Sequence, residues 1–115
     1  MQYMLLIYHS EANRMSPPEE TAMFQEYMTF TQDIVKNGKF KAGDRLEPTA
    51  NATTVRVRNG KTVTVDGPFA ETKEQLGGYY LVEAKDLDDA IAIAAKIPGA
   101  RHGSIEVRPI ATMNR

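Results

Sequence analysis

The 115-residue sequence contains no cysteine, so it can form neither a disulfide nor a thiolate metal site. It has no excess of positive charge either, since its formal net charge is −1 at pH 7. Because a protein needs a surplus of Lys and Arg to neutralise phosphates, this balance argues against nucleic-acid binding. The apolar start, residues 3–8, is too short to span a bilayer and lacks the basic lead-in and cleavage site of a signal peptide. We therefore expect a cytoplasmic protein that binds neither nucleic acid nor membrane.

Several common catalytic signatures are missing as well. Gly77-Gly78 precedes a predicted strand rather than a helix, so it is not a phosphate-binding loop, and no Gly-x-Ser-x-Gly nucleophile motif occurs. His9 and His102 are expected at neighbouring strand ends, but the pattern offers no third ligand. The sequence thus implies no metal and no cofactor.

The order of predicted strands and helices indicates one small α+β domain covering residues 1–115. Ser16 followed by Glu19 predicts one helix N-terminus, and Asp86 predicts another. Outside a hairpin at residues 53–67, the elements follow the order strand–helix–strand twice. That order is the split βαβ arrangement of a ferredoxin-like fold, with both helices on one face of an antiparallel sheet. The predicted strands of this sheet are Gln2–His9, Phe40–Leu46, Gly78–Ala84 and Gly103–Ile110.

The hairpin TTVRVRNGKTVTVDG allows two registers. A two-residue Asn59-Gly60 loop pairs Val57 with Thr62 and puts the valines of the two strands on opposite faces. A three-residue loop, with Gly60 at positive φ, pairs Val57 with Lys61 and puts all the valines on one face. We predict the second register because it gives the hairpin a single apolar face.

The strands of the main sheet are apolar on both faces. In the first strand Met4 and Leu6 alternate with Leu5 and Ile7. Two helices shelter only one face, so the other is left as a flat apolar surface of about 400 Å², which is near the upper limit for a monomer. We therefore predict a homodimer, packed sheet against sheet, with a cavity at the boundary between the two copies.

The segment TTVRVRNGKTVTVDGPFAETKEQLGGYYLVEAKDLDDA resembles the DGPF branch of the YCII-related domain family, and so do the opening YMLLIY and the later IPGARHGSIEVRP. The resemblance covers nearly the whole chain. It implies a ferredoxin-like α+β domain that pairs into a dimeric α+β barrel, in agreement with the dimer predicted from the two-sided strands.

The resemblance also implies two kinds of activity. Distant barrel relatives include lactone isomerase-like enzymes, whereas some DGPF proteins resemble genomic companions of extracytoplasmic-function sigma factors. In the YCII branch proper, a helix-one histidine and an aspartate near the last strand form a proposed catalytic pair. Here helix one contains no histidine, and Tyr27 lies roughly where it would fall, so that pair is not carried over.

Asp66, in the Asp-Gly-Pro-Phe corner, is the predicted catalytic residue. It has two interpretations: a side chain that hydrogen-bonds its own loop amides, with Phe69 plugged into the core, or a strand-end carboxylate that acts as a general base. The two are compatible, because a turn-locked carboxylate is also preorganised.

Charged and phenolic groups around this corner complete the predicted site. Arg45 and Arg108 are expected at the same end of the sheet, and with Lys73 they would converge on Asp66 to hold an anionic group of a substrate. The mixed-charge loop that carries Glu71 and Lys73 is more often an ordinary solvated surface with weak ion pairs. The predicted substrate-binding residues are Arg45, Glu71, Lys73, Tyr79 and Arg108.

These observations leave two functional hypotheses. The first is a cofactor-independent small-molecule enzyme, by resemblance a lactone isomerase or lyase, in which Asp66 moves the proton. The second is a non-catalytic binding or regulatory module that acts with an extracytoplasmic-function sigma factor. The first would take a small-molecule ligand at the dimer boundary, and the second a protein partner.

Overall fold

The computed structural model of the chain describes residues 1–112, which contain six strands and two helices. The strands are β1 (Gln2–His9), β2 (Phe40–Arg45), β3 (Thr53–Arg58), β4 (Lys61–Asp66), β5 (Gln75–Glu83) and β6 (Ser104–Pro109). The helices are α1 (Pro17–Lys36) and α2 (Leu87–Ala95), and short 3-10 turns occupy Thr49–Asn51 and Pro98–Arg101.

The helix ends follow the predicted local chemistry. Ser16 and Glu19 form a reciprocal capping box, in which each side chain accepts a hydrogen bond from the other residue's backbone amide. The Asp86 side chain accepts from the Asp89 amide and begins α2 in the same way. Both caps satisfy amides that the first helical turn leaves unpaired.

The main sheet confirms the ferredoxin-like prediction. Its strand order is β2-β5-β1-β6, and its neighbouring strands are all antiparallel. The helices pack on one face of the sheet, where Leu5 and Val82 are fully buried. Within residues 1–112 the chain forms an open sheet and no closed barrel. The rest of the core is made of Tyr3, Ile7, Phe30, Ile34, Tyr80, Ala84, Ala90, Ile93, Ala94 and Ile97.

The opposite face of the main sheet is left without a helix. Side chains alternate across a strand, so Met4, Leu6 and Tyr8 of β1 point away from the helices, as do Tyr79 and Leu81 of β5. Each of the five is half-buried, because neighbours on the same flat surface shelter one another. The strands are therefore two-sided, as the sequence predicts.

The hairpin register predicted from the sequence is wrong. Arg58 pairs with Lys61 and Val57 with Thr62, so the loop has two residues. Asn59 and Gly60 have φ values of 53° and 74°, the left-handed pair that an Asn-Gly hairpin turn requires. The turn geometry decides the register, because the hairpin does not pack on the main sheet and no shared core selects a single apolar face.

The hairpin projects from the rest of the domain. β3 and β4 form a separate two-stranded sheet, and the radius of gyration is 16.2 Å, against about 13 Å for a compact domain of this length. Val55 and Val57 on one face are 59% and 62% exposed, and Val63 and Val65 on the other are 43% and 50% exposed. A two-stranded hairpin is only marginally stable alone, and within residues 1–112 this one pairs with no third strand.

Candidate functional site

The face of the main sheet without helices carries the clearest grouping of polar and apolar side chains. We call it the open face. The register sets its order across the strands: Asp44, Tyr79, Leu6 and Glu106 form one row, and Ala42, Leu81, Met4 and Arg108 form the next. Leu6, Leu81 and Met4 thus give these rows an apolar centre, and ionisable side chains lie on either side of it at Asp44, Tyr79, Glu106 and Arg108.

On the β2 side, Tyr79 and Asp44 form a hydrogen-bonded pair. The Tyr79 hydroxyl donates to Oδ2 of Asp44 over 2.9 Å. That hydrogen bond, together with the negative charge of Asp44, raises the pKa of Tyr79 above its ordinary value. Tyr79 therefore keeps its proton at neutral pH, and the pair presents a carboxylate beside a phenolic donor.

On the β6 side, Tyr8, Glu106 and Arg108 form a second polar group. The Tyr8 hydroxyl lies 3.4 Å from Oε1 of Glu106, and Nε of Arg108 donates to Oε2 of Glu106 over 2.8 Å. Nη2 of Arg108 also donates to Oε2 of Glu106, and Nη1 of the exposed guanidinium is left to meet a bound carboxylate. Asp44 and Glu106 are separated by three strand spacings, or roughly 14 Å between backbones.

The predicted convergence of Arg45 with Arg108 is wrong. Arg45 pairs with Gly78 near one end of the sheet, whereas Arg108 pairs with Met4 near the other. The cause is strand direction: β6 runs antiparallel to β1, so its last residues lie at the end where β2 begins. Their backbones are on the order of 17 Å apart. Arg108 belongs to the open face and Arg45 to the end of the sheet from which the hairpin projects.

The two histidines also lie at that end of the sheet. The His9 ring covers Gly77, where an added Cβ would lie 2.2 Å from Cε1 of the ring. Residues 102–103 run beside the backbone of His9, as predicted for neighbouring strand ends. Within residues 1–112 no group of three or more His, Asp or Glu side chains is arranged to hold a metal ion.

The Asp-Gly-Pro-Phe corner differs from its prediction in two respects. Gly67 has φ 109°, a conformation that favours glycine, and its amide donates to the Ala52 carbonyl over 2.7 Å. Phe69 is 80% exposed rather than plugged into the core, and the guanidinium of Arg56 lies 5.6 Å from its ring centroid. The corner is tied to the hairpin base by its backbone, and not by burial of Phe69 in the core.

Asp66, Glu71 and Lys73 are all exposed. In the described part of the chain no loop amide donates to the Asp66 carboxylate, so the self-bonded turn is not formed. Nothing in a single chain brings these three residues to the open face. Their roles as catalytic and substrate-binding residues stay predictions, whereas Tyr79 and Arg108 lie on the open face itself.

Tyr27, at the position where the family's histidine would fall, has a structural contact. Its hydroxyl accepts a hydrogen bond from the Gly99 amide over 3.1 Å, which ties α1 to the turn after α2. Burial raises the pKa of Tyr27, more than the Gly99 hydrogen bond lowers it. Tyr27 is thus a neutral packing residue that anchors the helix layer.

Glu11 was missed by sequence reasoning. Its carboxylate accepts hydrogen bonds from both the amide and the hydroxyl of Thr49, over 3.0 and 2.6 Å, and so ties the end of β1 to the turn that leads into the hairpin. These bonds to Thr49 lower the pKa of Glu11 below its ordinary value of 4.5. The only signal for this contact is spatial, since 38 residues separate the partners.

We expect the Glu11–Thr49 contact to open in acid. A carboxyl group whose pKa is lowered by folding stabilises the fold above its unfolded pKa, and this stability is lost as the pH falls through the folded pKa. The Thr49 amide resonance should therefore titrate below pH 4.5 in an NMR pH series. The Glu11→Gln variant is the control, because its Thr49 resonance should not titrate there. A Thr49 amide that titrates equally in both proteins would contradict the assignment.

Comparison with known proteins agrees with this fold. The model of the YCII-related domain family matches residues 1–114. An uncharacterized protein of Rhizobium meliloti (strain 1021) is 39% identical over 115 residues, which cover 96% of this chain and 93% of the relative. None of the helices in the described residues is long and apolar enough to cross a membrane.

Proposed function

The chain belongs to the YCII-related domain family, and from that premise we propose that it is a cofactor-independent enzyme that shifts protons on small lactones or unsaturated acids. The DGPFAETKE run at residues 66–74 supports its place in the DGPF branch of the family. A cytoplasmic location is part of the proposal. The observation that carries it is the open face, where the Asp44–Tyr79 pair and Arg108 flank an apolar floor.

The proposed chemistry needs only a base and an anion-binding group. The Asp44 carboxylate removes a proton from a carbon next to a carbonyl group, and the resulting carboxylic acid returns this proton to another carbon of the substrate. Each residue ends in the form in which it began, so no oxidant, metal or leaving group takes part. Tyr79 donates a hydrogen bond that holds Asp44 in place, and Arg108 binds the carboxylate of the substrate.

The apolar floor supports this assignment. Leu6, Leu81 and Met4 supply a surface for a hydrocarbon ring between the two polar edges. A second copy packed on the open face would exclude water from it, which strengthens the electrostatic interactions of the base with the substrate. The proposal therefore includes a two-fold homodimer with the site at the boundary between the copies.

Deuterium exchange tests the proposal even though the product is unidentified. The protein is incubated in D2O with a panel of small unsaturated lactones and the corresponding open-chain acids, and loss of the α-proton signal is followed by NMR. We expect catalysed exchange with at least one compound, and an exchange rate at least tenfold lower in Asp44→Asn, because the base is gone. Asp88→Asn on α2 is the control and should keep the wild-type rate. Exchange that is equal in all three proteins would refute the role of Asp44.

A regulatory module is the second candidate, and an exposed stripe on α1 favours it. Phe24, Met28 and Val35 are 61%, 47% and 54% exposed and lie along one side of the helix. An apolar stripe of this kind fits a protein partner, and the resemblance suggests an extracytoplasmic-function sigma factor. No exchange with any compound, together with micromolar binding of such a purified sigma factor that Phe24→Glu abolishes, would make this the function.

A further inference from the structure

The two faces of the projecting hairpin differ in what covers them. The pairing places Thr53, Val55 and Val57 of β3 on one face with the alternate residues of β4, and every one of these side chains is exposed. We call this the valine–threonine face. Its one charged residue is Asp66, which pairs with Thr53 at the base of the hairpin. Its β4 residues are Thr62, Thr64 and Asp66.

The other face is partly covered within its own chain. The Thr54 hydroxyl donates to the Gly67 carbonyl over 2.9 Å, and the Arg56 guanidinium lies over the Phe69 ring. Thr54 and Arg56 are half-buried as a result. The corner after β4 thus folds against the face that carries Thr54 and Arg56, and within residues 1–112 it leaves the valine–threonine face uncovered.

We propose that the valine–threonine face packs against a second copy of the chain and brings the partner's Asp66 to the rim of the open-face site. The inference rests on the proposed function for the role of Asp66, but the packing itself does not. Asp66 shares a face with Val55 and Val57, so burial of those valines between copies carries the carboxylate to the same boundary. This also explains why Asp66 has no contact with the open face inside one chain.

The area of the contact favours a second copy as the occupant. Two open faces packed together bury about 800 Å² in total, which is less than a stable interface needs. Each hairpin face is about 190 Å², from two strands of six residues. Two hairpins that each cover an equal area of the other copy raise the total to about 1,600 Å², the usual size of a specific interface.

The geometry gives Asp66 a chemical role. With a second carboxyl group on the side opposite Asp44, the return of the proton is divided between two groups: Asp44 takes a proton from one carbon, the second group in its acid form gives a proton to the other carbon, and both regain their starting forms by proton exchange with water. Asp44 lies on the sheet below the substrate, and the partner's Asp66 would lie above it. Each site is then incomplete in a single chain, because one acid comes from each copy.

The packing is tested first by mass. Sedimentation equilibrium of the full chain should give twice 12.8 kDa. Val57→Lys should weaken the dimer at least tenfold, because a lysine would be buried in an apolar contact. Val63→Lys is the matched control on the opposite face and should leave the dimer within about twofold of the wild type. A monomeric wild-type protein, or equal effects of the two lysines, would overturn the proposal.

Cross-linking then locates the contact, and the absence of native cysteine makes each introduced thiol unique. Val57→Cys labelled with benzophenone maleimide should give photo-cross-links of doubled mass to peptides of β1, β5 or their neighbouring strands. The same label at Val63→Cys should give none. Cross-links from Val57 confined to α1 peptides, or found only within one chain, would show that the hairpin lies elsewhere.

The role of the partner's Asp66 is tested by mixing variants. Asp66→Asn and Asp44→Asn chains should each lose deuterium delivery to the second carbon, and their unfolded and refolded equal mixture should recover about one quarter of the wild-type rate of that delivery, because half of the dimers regain one intact site. No recovery, with Val57→Lys still dissociating the dimer, would refute the shared site but keep the packing. A wild-type protein without exchange activity would refute the proposed function alone, since mass and cross-links still decide the packing.

Discussion

Replacing Leu5 by alanine is expected to lower the free energy of unfolding by about 3 kcal/mol. The substitution removes buried methyl groups and leaves a cavity in the core. Leu5 is fully buried and lies in the middle of β1, opposite Tyr80 on one side and Val107 on the other. The helices α1 and α2 close this face of the sheet from above. The measurement is urea denaturation followed by circular dichroism, at one fixed protein concentration.

The neighbouring Leu6 is the matched control, since the same substitution one residue along removes the same atoms from the open face. Leu6 is half-buried and no helix packs against it, so we expect a loss of less than about 1.5 kcal/mol in the monomer. In a dimer the loss should grow with protein concentration, because Leu6 then lies at the boundary between copies. Equal losses for Leu5 and Leu6 in dilute, monomeric protein would contradict the one-sided core.

The fold is predictable where the signals are local and periodic. The capping box at Ser16 and Glu19 sits within one turn, and the alternation of Leu5 with Leu6 marks both faces of β1. The hairpin register is not predictable by the same rule. The predicted register assumes that all the valines face a common core. The hairpin instead lies off the main sheet, and the two-residue Asn59-Gly60 turn sets its register.

The candidate site is predictable only in part. Tyr79 and Arg108 do lie on the open face, but the prediction that Arg108 meets Arg45 is wrong, because the antiparallel pairing of β6 with β1, itself predicted, puts the last residues of β6 at the opposite end of the sheet from Arg45. Phe69 is expected in the core since large apolar residues are commonly buried, yet the short corner holds it against Arg56 at the surface. Glu11 hydrogen-bonds Thr49, which is distant in the sequence, and no local sequence pattern predicts such a contact.

At the start of β6, one added methyl group is expected to lower the free energy of unfolding strongly. A Cβ at Gly103 would lie 2.0 Å from the carbonyl oxygen of Tyr8, a distance that van der Waals repulsion forbids. The obstacle is the backbone of β1 itself, so the chain can relieve it only by moving β6 or β1. The Gly103 amide also donates to the Gly99 carbonyl over 2.9 Å, which fixes the approach of the chain to β6.

We therefore expect Gly103→Ala to cost about 3 kcal/mol in the free energy of unfolding, measured by the same urea series. Gly77→Ala is the control, because its Cβ would lie equally close, 2.2 Å, but to the ring of His9. His9 is an exposed side chain that can rotate away, so we expect a cost of less than about 1 kcal/mol. If both alanines cost the same, backbone crowding at β6 is not what requires glycine, and the close packing of β6 against β1 would lose its main support.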